Sequence, residues 1–203
     1  MSGPDIKTHV GYALDVGRWE PDARGRLEQA ALELYIERGF ENTTVAEIAE
    51  RAGLTERTFF RHYADKREVL FAGAQAVKEL LVGTVLAAPD GTSPLQAVAA
   101  GLEAVGAVIQ QRGPGAQRRQ AVISANPELQ ERELTKLASW AAALAEALRR
   151  RGVREPTASL TAETGMAIFR VAFARWVAQP DKRDLPRIVR QSLAQLKTVT
   201  TGG

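Results

Sequence analysis

Apolar residues recur three and four positions apart along nearly the whole chain, and no stretch alternates with period two for long. That spacing predicts an all-α protein. Leu27, Ala30, Ala31 and Leu34 form the buried stripe of a first helix over residues 22–38. Gly39 ends it, and Phe40 is placed for the apolar contact that accompanies a glycine cap. A second helix starts at Thr44. Thr44 and Glu47 fit a capping box, in which each side chain satisfies a backbone N–H that helix geometry leaves unpaired. Val45, Ile48, Ala49 and Ala52 are its inner face, and Gly53 stops it because glycine enters the left-handed region without steric penalty. Thr55 caps a third helix, 56–63. Asp65 caps a fourth, with Glu68 as the reciprocal acid, and the pattern carries this helix unbroken to about residue 88.

Beyond a turn at 87–92 the pattern predicts helices at 93–112, 114–125, 127–152, 156–179 and 184–199, which brings the expected total to nine. Ser93, Pro94 and Gln96 start the first of these, Gly113-Pro114-Gly115 breaks the chain, and Pro127 stands at a first helical position, for which proline is pre-shaped. Residues 1–20, with Gly3, Pro4, Gly11 and Gly17 among scattered charges, read as a flexible N-terminal arm.

Composition narrows the class. The chain has no cysteine, which excludes disulfides and thiolate chemistry. No apolar run reaches the roughly 18 residues of a membrane span, and residues 1–16 lack the apolar centre of a secretory signal. A soluble, cytoplasmic protein that does not engage a membrane is expected. Histidine occurs only at positions 9 and 62. No paired metal-ligand motif, glycine-rich phosphate loop or nucleophile elbow occurs, so no enzyme activity, metal or cofactor is expected. Glu128, Glu131 and Glu133 follow Asn126-Pro127 and read as first-turn acids favoured by the helix dipole.

Charge argues less simply. Residues 1–71 hold 10 Lys/Arg against 13 Asp/Glu, whereas residues 72–203 hold 17 against 11. Bulk charge therefore lends no support to nucleic-acid binding by the first third, and any such reading rests on local arrangement. Between Leu54 and Arg67 the balance does turn positive, with four Lys/Arg, two acids and His62. Two short helices joined by a glycine turn make a helix-turn-helix, whose second helix enters the major groove. With Phe59 and Tyr63 inward at i and i+4, the residues Thr55, Arg57, Thr58, Arg61 and His62 face outward. Their donors and hydroxyls suit phosphates and base edges.

The run Thr43-Thr44-Val45, Ile48-Ala49, Ala52-Gly53-Leu54-Thr55, Thr58-Phe59-Phe60, His62-Tyr63 and Lys66 resembles the TetR family of bacterial transcriptional regulators. The resemblance implies a three-helix DNA-binding domain over residues 21–67, and a larger helical domain over 68–203 for ligand binding and dimerisation. It implies a homodimer on a palindromic double-stranded DNA operator, acting as a repressor released by a small-molecule effector. Thr44, His62 and Lys66 would hold phosphates, and Thr55, Arg57, Thr58 and Arg61 would supply groove and backbone contacts. Phe60 stands where the family often has tyrosine, which leaves it an apolar contact to a thymine methyl or a sugar.

The remaining 130 or so residues are read with less detail. Trp140 sits in an alanine-rich stretch that leaves room around it. With Arg118, Met166, Phe169 and Arg170 it forms the candidate effector pocket, for an apolar or amphipathic molecule. Arg118, Arg119 and Arg170 lie among apolar neighbours, and each is either a contact for an acidic or carbonyl-bearing ligand or plain surface. The C-terminal half bears a faint likeness to regulators of this family with acyl or acyl-coenzyme A effectors. Phe173, Trp176, Ile188, Val189, Leu193 and Leu196, on the last two helices, are the candidate dimer interface, the alternative being that they complete the chain's own core. A helical adaptor that binds protein rather than DNA is the competing function. It would not need the outward Thr, Arg and His register of residues 55–62.

Overall fold

The computed structural model describes residues 22–178 and 184–201, and the expected arm at 1–20 lies outside them. The described residues form ten helices and no strand. Four build the N-terminal head: α1 (Ala23–Arg38), α2 (Val45–Arg51), α3 (Glu56–His62) and α4 (Lys66–Val69). Six follow: α5 (Ala74–Leu86), α6 (Pro94–Gln111), α7 (Pro114–Ala125), α8 (Pro127–Arg150), α9 (Thr157–Val177) and α10 (Leu185–Thr201). None of these helices is long and apolar enough to cross a membrane.

The count exceeds nine because the expected long fourth helix is two. α4 ends after one turn, Leu70–Gly73 form a bend, and α5 begins anew. Gly73 lies at φ 77°, in the left-handed region, where an α-helix cannot pass through. The apolar spacing runs straight through this bend, so the pattern did not reveal it.

Capping follows the sequence closely. The Thr44 hydroxyl accepts from the Glu47 N–H at 3.2 Å, and the Glu47 carboxylate accepts from the Thr44 N–H at 2.8 Å. Thr55 accepts from the Thr58 N–H, and Asp65 from the N–H groups of Arg67 and Glu68. Each such cap contributes about 1 kcal/mol.

Two apolar clusters divide the interior. The head's cluster packs Leu27, Leu34, Phe40, Ile48 and Phe59, and continues through Val69–Ala72 to Val122, Ile123 and Leu129 of α7 and α8. The second joins α5, α6, α8, α9 and α10 around Leu81, Leu102, Leu144, Phe169 and Val189. Gly101 and Gly165 allow its closest crossings. A β-carbon on Gly165 would lie 2.4 Å from Val98 of α6, and one on Gly101 would lie 2.9 Å from Leu81 of α5.

This second cluster corrects part of the expected dimer interface. Trp176 (4% exposed), Ile188 (2%) and Val189 (0%) are buried within the chain and complete its own core. Leu193 and Leu196 are half-buried against the same core. Their apolar spacing reflects contacts that α9 and α10 make with each other and with α6.

Candidate nucleic-acid interface and effector cavity

The helix-turn-helix is held from within the head. Phe59 and Tyr63 point inward and are buried, with ring centroids 5.6 Å apart. The Tyr63 hydroxyl donates to Glu28 at 2.9 Å and accepts from Arg24 at 3.2 Å, which pins the end of α3 to α1. The turn before α3 is fixed by Arg26, whose guanidinium donates to the carbonyls of Ala52 and Gly53. Gly53 lies at φ 66°. A β-carbon there would meet the Arg26 Nη2 atom at 2.7 Å. The positive φ requires glycine, and a β-carbon would in addition push aside the end of the Arg26 side chain.

With its inner face so committed, α3 presents Thr55, Arg57, Phe60, Arg61 and His62 outward as exposed residues, and Thr58 as a half-buried one. The Thr55 and Thr58 hydroxyls lie 3.1 Å apart. Arg57, Phe60 and Arg61 stand at i, i+3 and i+4 and so share one face. Phe60 is 55% exposed, with its ring edge-on to Phe59 at 5.5 Å between centroids. Thr44 is exposed at the start of α2.

Lys66 departs from the expected role. Its ammonium donates to the carbonyls of Phe40 (2.8 Å), Thr43 (3.0 Å) and Glu41 (3.3 Å), and lies 4.4 Å from the centre of the Phe40 ring. An ammonium has three protons, and all three serve the α1–α2 loop. Tyr35 then closes the arrangement by donating to the Lys66 carbonyl at 2.6 Å. Lys66 therefore positions the loop that leads into Thr44 and has no free proton for a phosphate.

A cavity of about 720 Å³ lies where α1, the α4–α5 bend and helices α6 to α9 meet. Its apolar wall includes Leu70, Val77, Ile109, Trp140, Phe169 and Phe173. Phe169 and Phe173 are nearly parallel, with centroids 5.8 Å apart, and Trp140 lies 6.2 Å from Phe169. Trp140, Phe169 and Arg170 are thus placed at the cavity as expected. Phe173, expected at a dimer interface, lines the cavity as well. Met166 is buried in the core and does not reach it.

Arg118 is exposed, and its neighbour Arg119 takes the place at the cavity wall. Ala116, Arg119 and Ile123 recur at i, i+3 and i+7, and the burial of both apolar residues sets Arg119 rather than Arg118 on the inner side. The Arg119 guanidinium donates to the Leu70 carbonyl, lies 3.8 Å from Glu133 and 5.1 Å from the Phe71 ring centre. Burial, assisted by the nearby positive charge of Arg112, pushes it down to about 10, against the pull of Glu133. Glu133 is more than a helix-terminal acid, for it also accepts from Gln120 at 3.1 Å. Gln120 Oε1 is buried with no donor among the described residues.

A second tie, unmarked in the sequence pattern, runs from the head to α8. Glu68 pairs with Arg132, and with Lys136 at 3.5 Å. Lys136 also lies 5.3 Å from the Phe71 ring centre, so Phe71 carries two cations, Arg119 and Lys136. Arg67 meets Glu128 at 4.0 Å. These contacts and the cavity occupy the same junction. Among the described residues no group of acids and histidines is gathered as a metal site.

The chain is similar to known proteins over most of its length. The family described as bacterial regulatory proteins, tetR family, matches residues 28–72, and the one described as MftR C-terminal domain matches residues 92–201. A relative, the HTH-type transcriptional regulator TcmR of Streptomyces glaucescens, is 42% identical over 82 residues, which is 40% of this chain and 36% of TcmR's own length. MftR of Mycobacterium tuberculosis is 27% identical over 165 residues, 80% of this chain and 83% of that one. Among solved structures, FadR of Thermus thermophilus, a repressor in complex with lauroyl-CoA, superposes with a TM-score of 0.51 at 26% identity, over 86% of this chain and 93% of that one.

Proposed function

The chain belongs to the TetR family of bacterial transcriptional regulators, and from that footing we propose that it represses transcription as a homodimer on a palindromic operator. The outward face of α3 carries the reading. Arg57, Phe60, Arg61 and His62 are exposed beside two threonine hydroxyls, on a helix whose other side is fixed by Phe59 and Tyr63. Arginine reads guanine edges with two donors, and Phe60 supplies apolar contact to a thymine methyl or a sugar. Thr44 at the start of α2 adds a phosphate contact. The position of Phe59 and Tyr63 leaves a protein-adaptor role without a reason for this register.

Two recognition helices spaced by one turn of DNA, about 34 Å, read two half-sites. The surface for that pairing is the outer side of α9, where Leu160 is 64% and Val171 54% exposed, with Ala167 and Ala174 between and beyond them. Those four residues are spaced seven, four and three, along one stripe of the helix.

The effector occupies the cavity beneath the α4–α5 bend. Its aromatic wall suits an apolar or amphipathic molecule, and the lauroyl-CoA held by FadR of Thermus thermophilus is a ligand of that kind. Ligand acts by binding more tightly to the arrangement in which the two heads are wrongly spaced for the operator. Selection of the full-length protein on fragmented genomic DNA, followed by sequencing, tests the reading. An enriched inverted repeat is expected. Recovery of fragments with no common sequence would overturn it.

A further inference from the structure

We infer that the cavity takes an apolar molecule bearing one acidic group, a carboxylate or a phosphate, and that Arg119 with Arg112 receives the acid. The inference rests on the effector-cavity reading above and adds the charge of the ligand to it. The charged groups that line the cavity are Glu28 of α1, Arg112 at the cap that follows α6, Arg119 of α7, Glu133 and Lys136 of α8, and Arg170 of α9. Four are cations and two are acids, so the wall is positive by two charges.

The acids are already engaged. Glu28 serves Tyr63 and Arg24, and Glu133 serves Arg119 and Gln120. Among the cations, Lys136 is shared with Glu68. Arg112 and Arg170 have no carboxylate partner among the described residues. Arg112 also adds unfavourably to the charge of Arg119, and burial makes that guanidinium harder to keep protonated. Among the described residues Arg112 has no carboxylate partner and Arg119 shares Glu133 at 3.8 Å, so the two guanidiniums exceed their acid by one charge and form a place where an anion is stabilised. An acid between them would relieve the repulsion and replace lost solvation.

The aromatic wall of Trp140, Phe169 and Phe173 supplies the apolar half of the same ligand. These aromatic residues stand on α8 and α9, whereas Arg112 directly follows α6 and Arg119 stands on α7. A ligand with an acid at one end and an apolar body at the other satisfies both. A consequence for signalling follows. Arg119 also donates to the Leu70 carbonyl, at the end of α4. An acid that draws this guanidinium toward the cavity competes with a contact that holds the head.

Calorimetry on the full-length protein at neutral pH and low salt provides the test. The probes are two matched pairs: 2-naphthoate against 2-naphthalenemethanol, and decanoate against decanol. At least one acid is expected to bind tenfold or more tightly than its own alcohol. Which acid wins separates a ring from a chain as the apolar body. In Arg112→Gln, and in Arg119→Lys with its fold checked by circular dichroism, that preference is expected to shrink several-fold while the alcohol is little affected. If acid and alcohol bind alike, the charge inference fails and the cavity reading stands. If no probe of either pair binds, the cavity reading fails with it. An acid preference that survives both substitutions would overturn the assignment to Arg112 and Arg119.

Discussion

The guanidinium of Arg26 fills the space that a β-carbon on Gly53 would need, 2.7 Å away, while donating to the Gly53 carbonyl. One residue thereby fixes the turn of the helix-turn-helix from the first helix of the head. Gly53→Ala is expected to destabilise the protein by about 1–2 kcal/mol, the usual penalty of a left-handed alanine, measured by urea unfolding. Adding Arg26→Ala to that variant removes the contact together with its hydrogen bonds to the Ala52 and Gly53 carbonyls and leaves the backbone strain, so no recovery is expected. Full recovery of stability in the double variant would show that φ at Gly53 contributes nothing.

Lys66 and Arg61 should separate cleanly. Arg61→Ala is expected to lower the slope of log affinity against log salt by about 0.9, the signature of one lost phosphate contact. Lys66→Ala should leave that slope unchanged and destabilise the fold by about 1–3 kcal/mol, because three carbonyls lose their donor. DNA-binding titrations at several salt concentrations, with thermal unfolding alongside, read both. A reduced slope for Lys66→Ala would return this lysine to the phosphate backbone.

The pairing surface on α9 predicts that Val171→Arg converts the protein from twice the 22.0 kDa chain mass to the single chain in sedimentation. Ile188→Ala, a change inside the chain's own core, is expected to lower stability by about 2–5 kcal/mol without that specific change in mass. The reverse pattern would place the interface on α10.

Acid should loosen the head through its caps. Hydrogen bonds from the Thr44 N–H and hydroxyl hold the Glu47 carboxyl below its ordinary 4.5. Burial alone would raise Asp65, but Arg67 and the cap N–H groups outweigh it and hold this carboxyl below 3.8. Both folded values lie below the unfolded ones, so the stabilisation is present above about pH 4.5 and is lost as pH falls through the folded values. Thermal unfolding from about pH 6 to pH 3 checks this. Asp65→Asn, which keeps a cap but not the charge, should flatten part of the acid limb. An unchanged limb would remove Asp65 from the account.

Local features were the most legible in the sequence. The caps at Thr44, Thr55 and Asp65 depend on neighbours within three positions, and so does the inward pair Phe59 and Tyr63. What depended on distant packing was harder to read. Arg118 and Arg119 are adjacent and chemically identical, and only the burial of Ala116 and Ile123 says which one faces the cavity. Ile188 and Val189 form an apolar face whose partner is α6, and no spacing within α10 distinguishes a partner in the same chain from one in another. The Lys66 ammonium answers to carbonyls 23 to 26 positions earlier. The bend at Gly73 was hidden because the apolar period continues across it.

The head's apolar cluster is completed by Val122, Ile123 and Leu129, which arrive more than fifty positions after α4 has ended. A fragment cut after residue 67 would therefore expose the far wall of its own interior, including the neighbours of Phe71. During synthesis the head's apolar cluster is complete only once α7 and the start of α8 have left the ribosome. Exchange of heads between related regulators would have to carry matching residues on α7 and α8 with it.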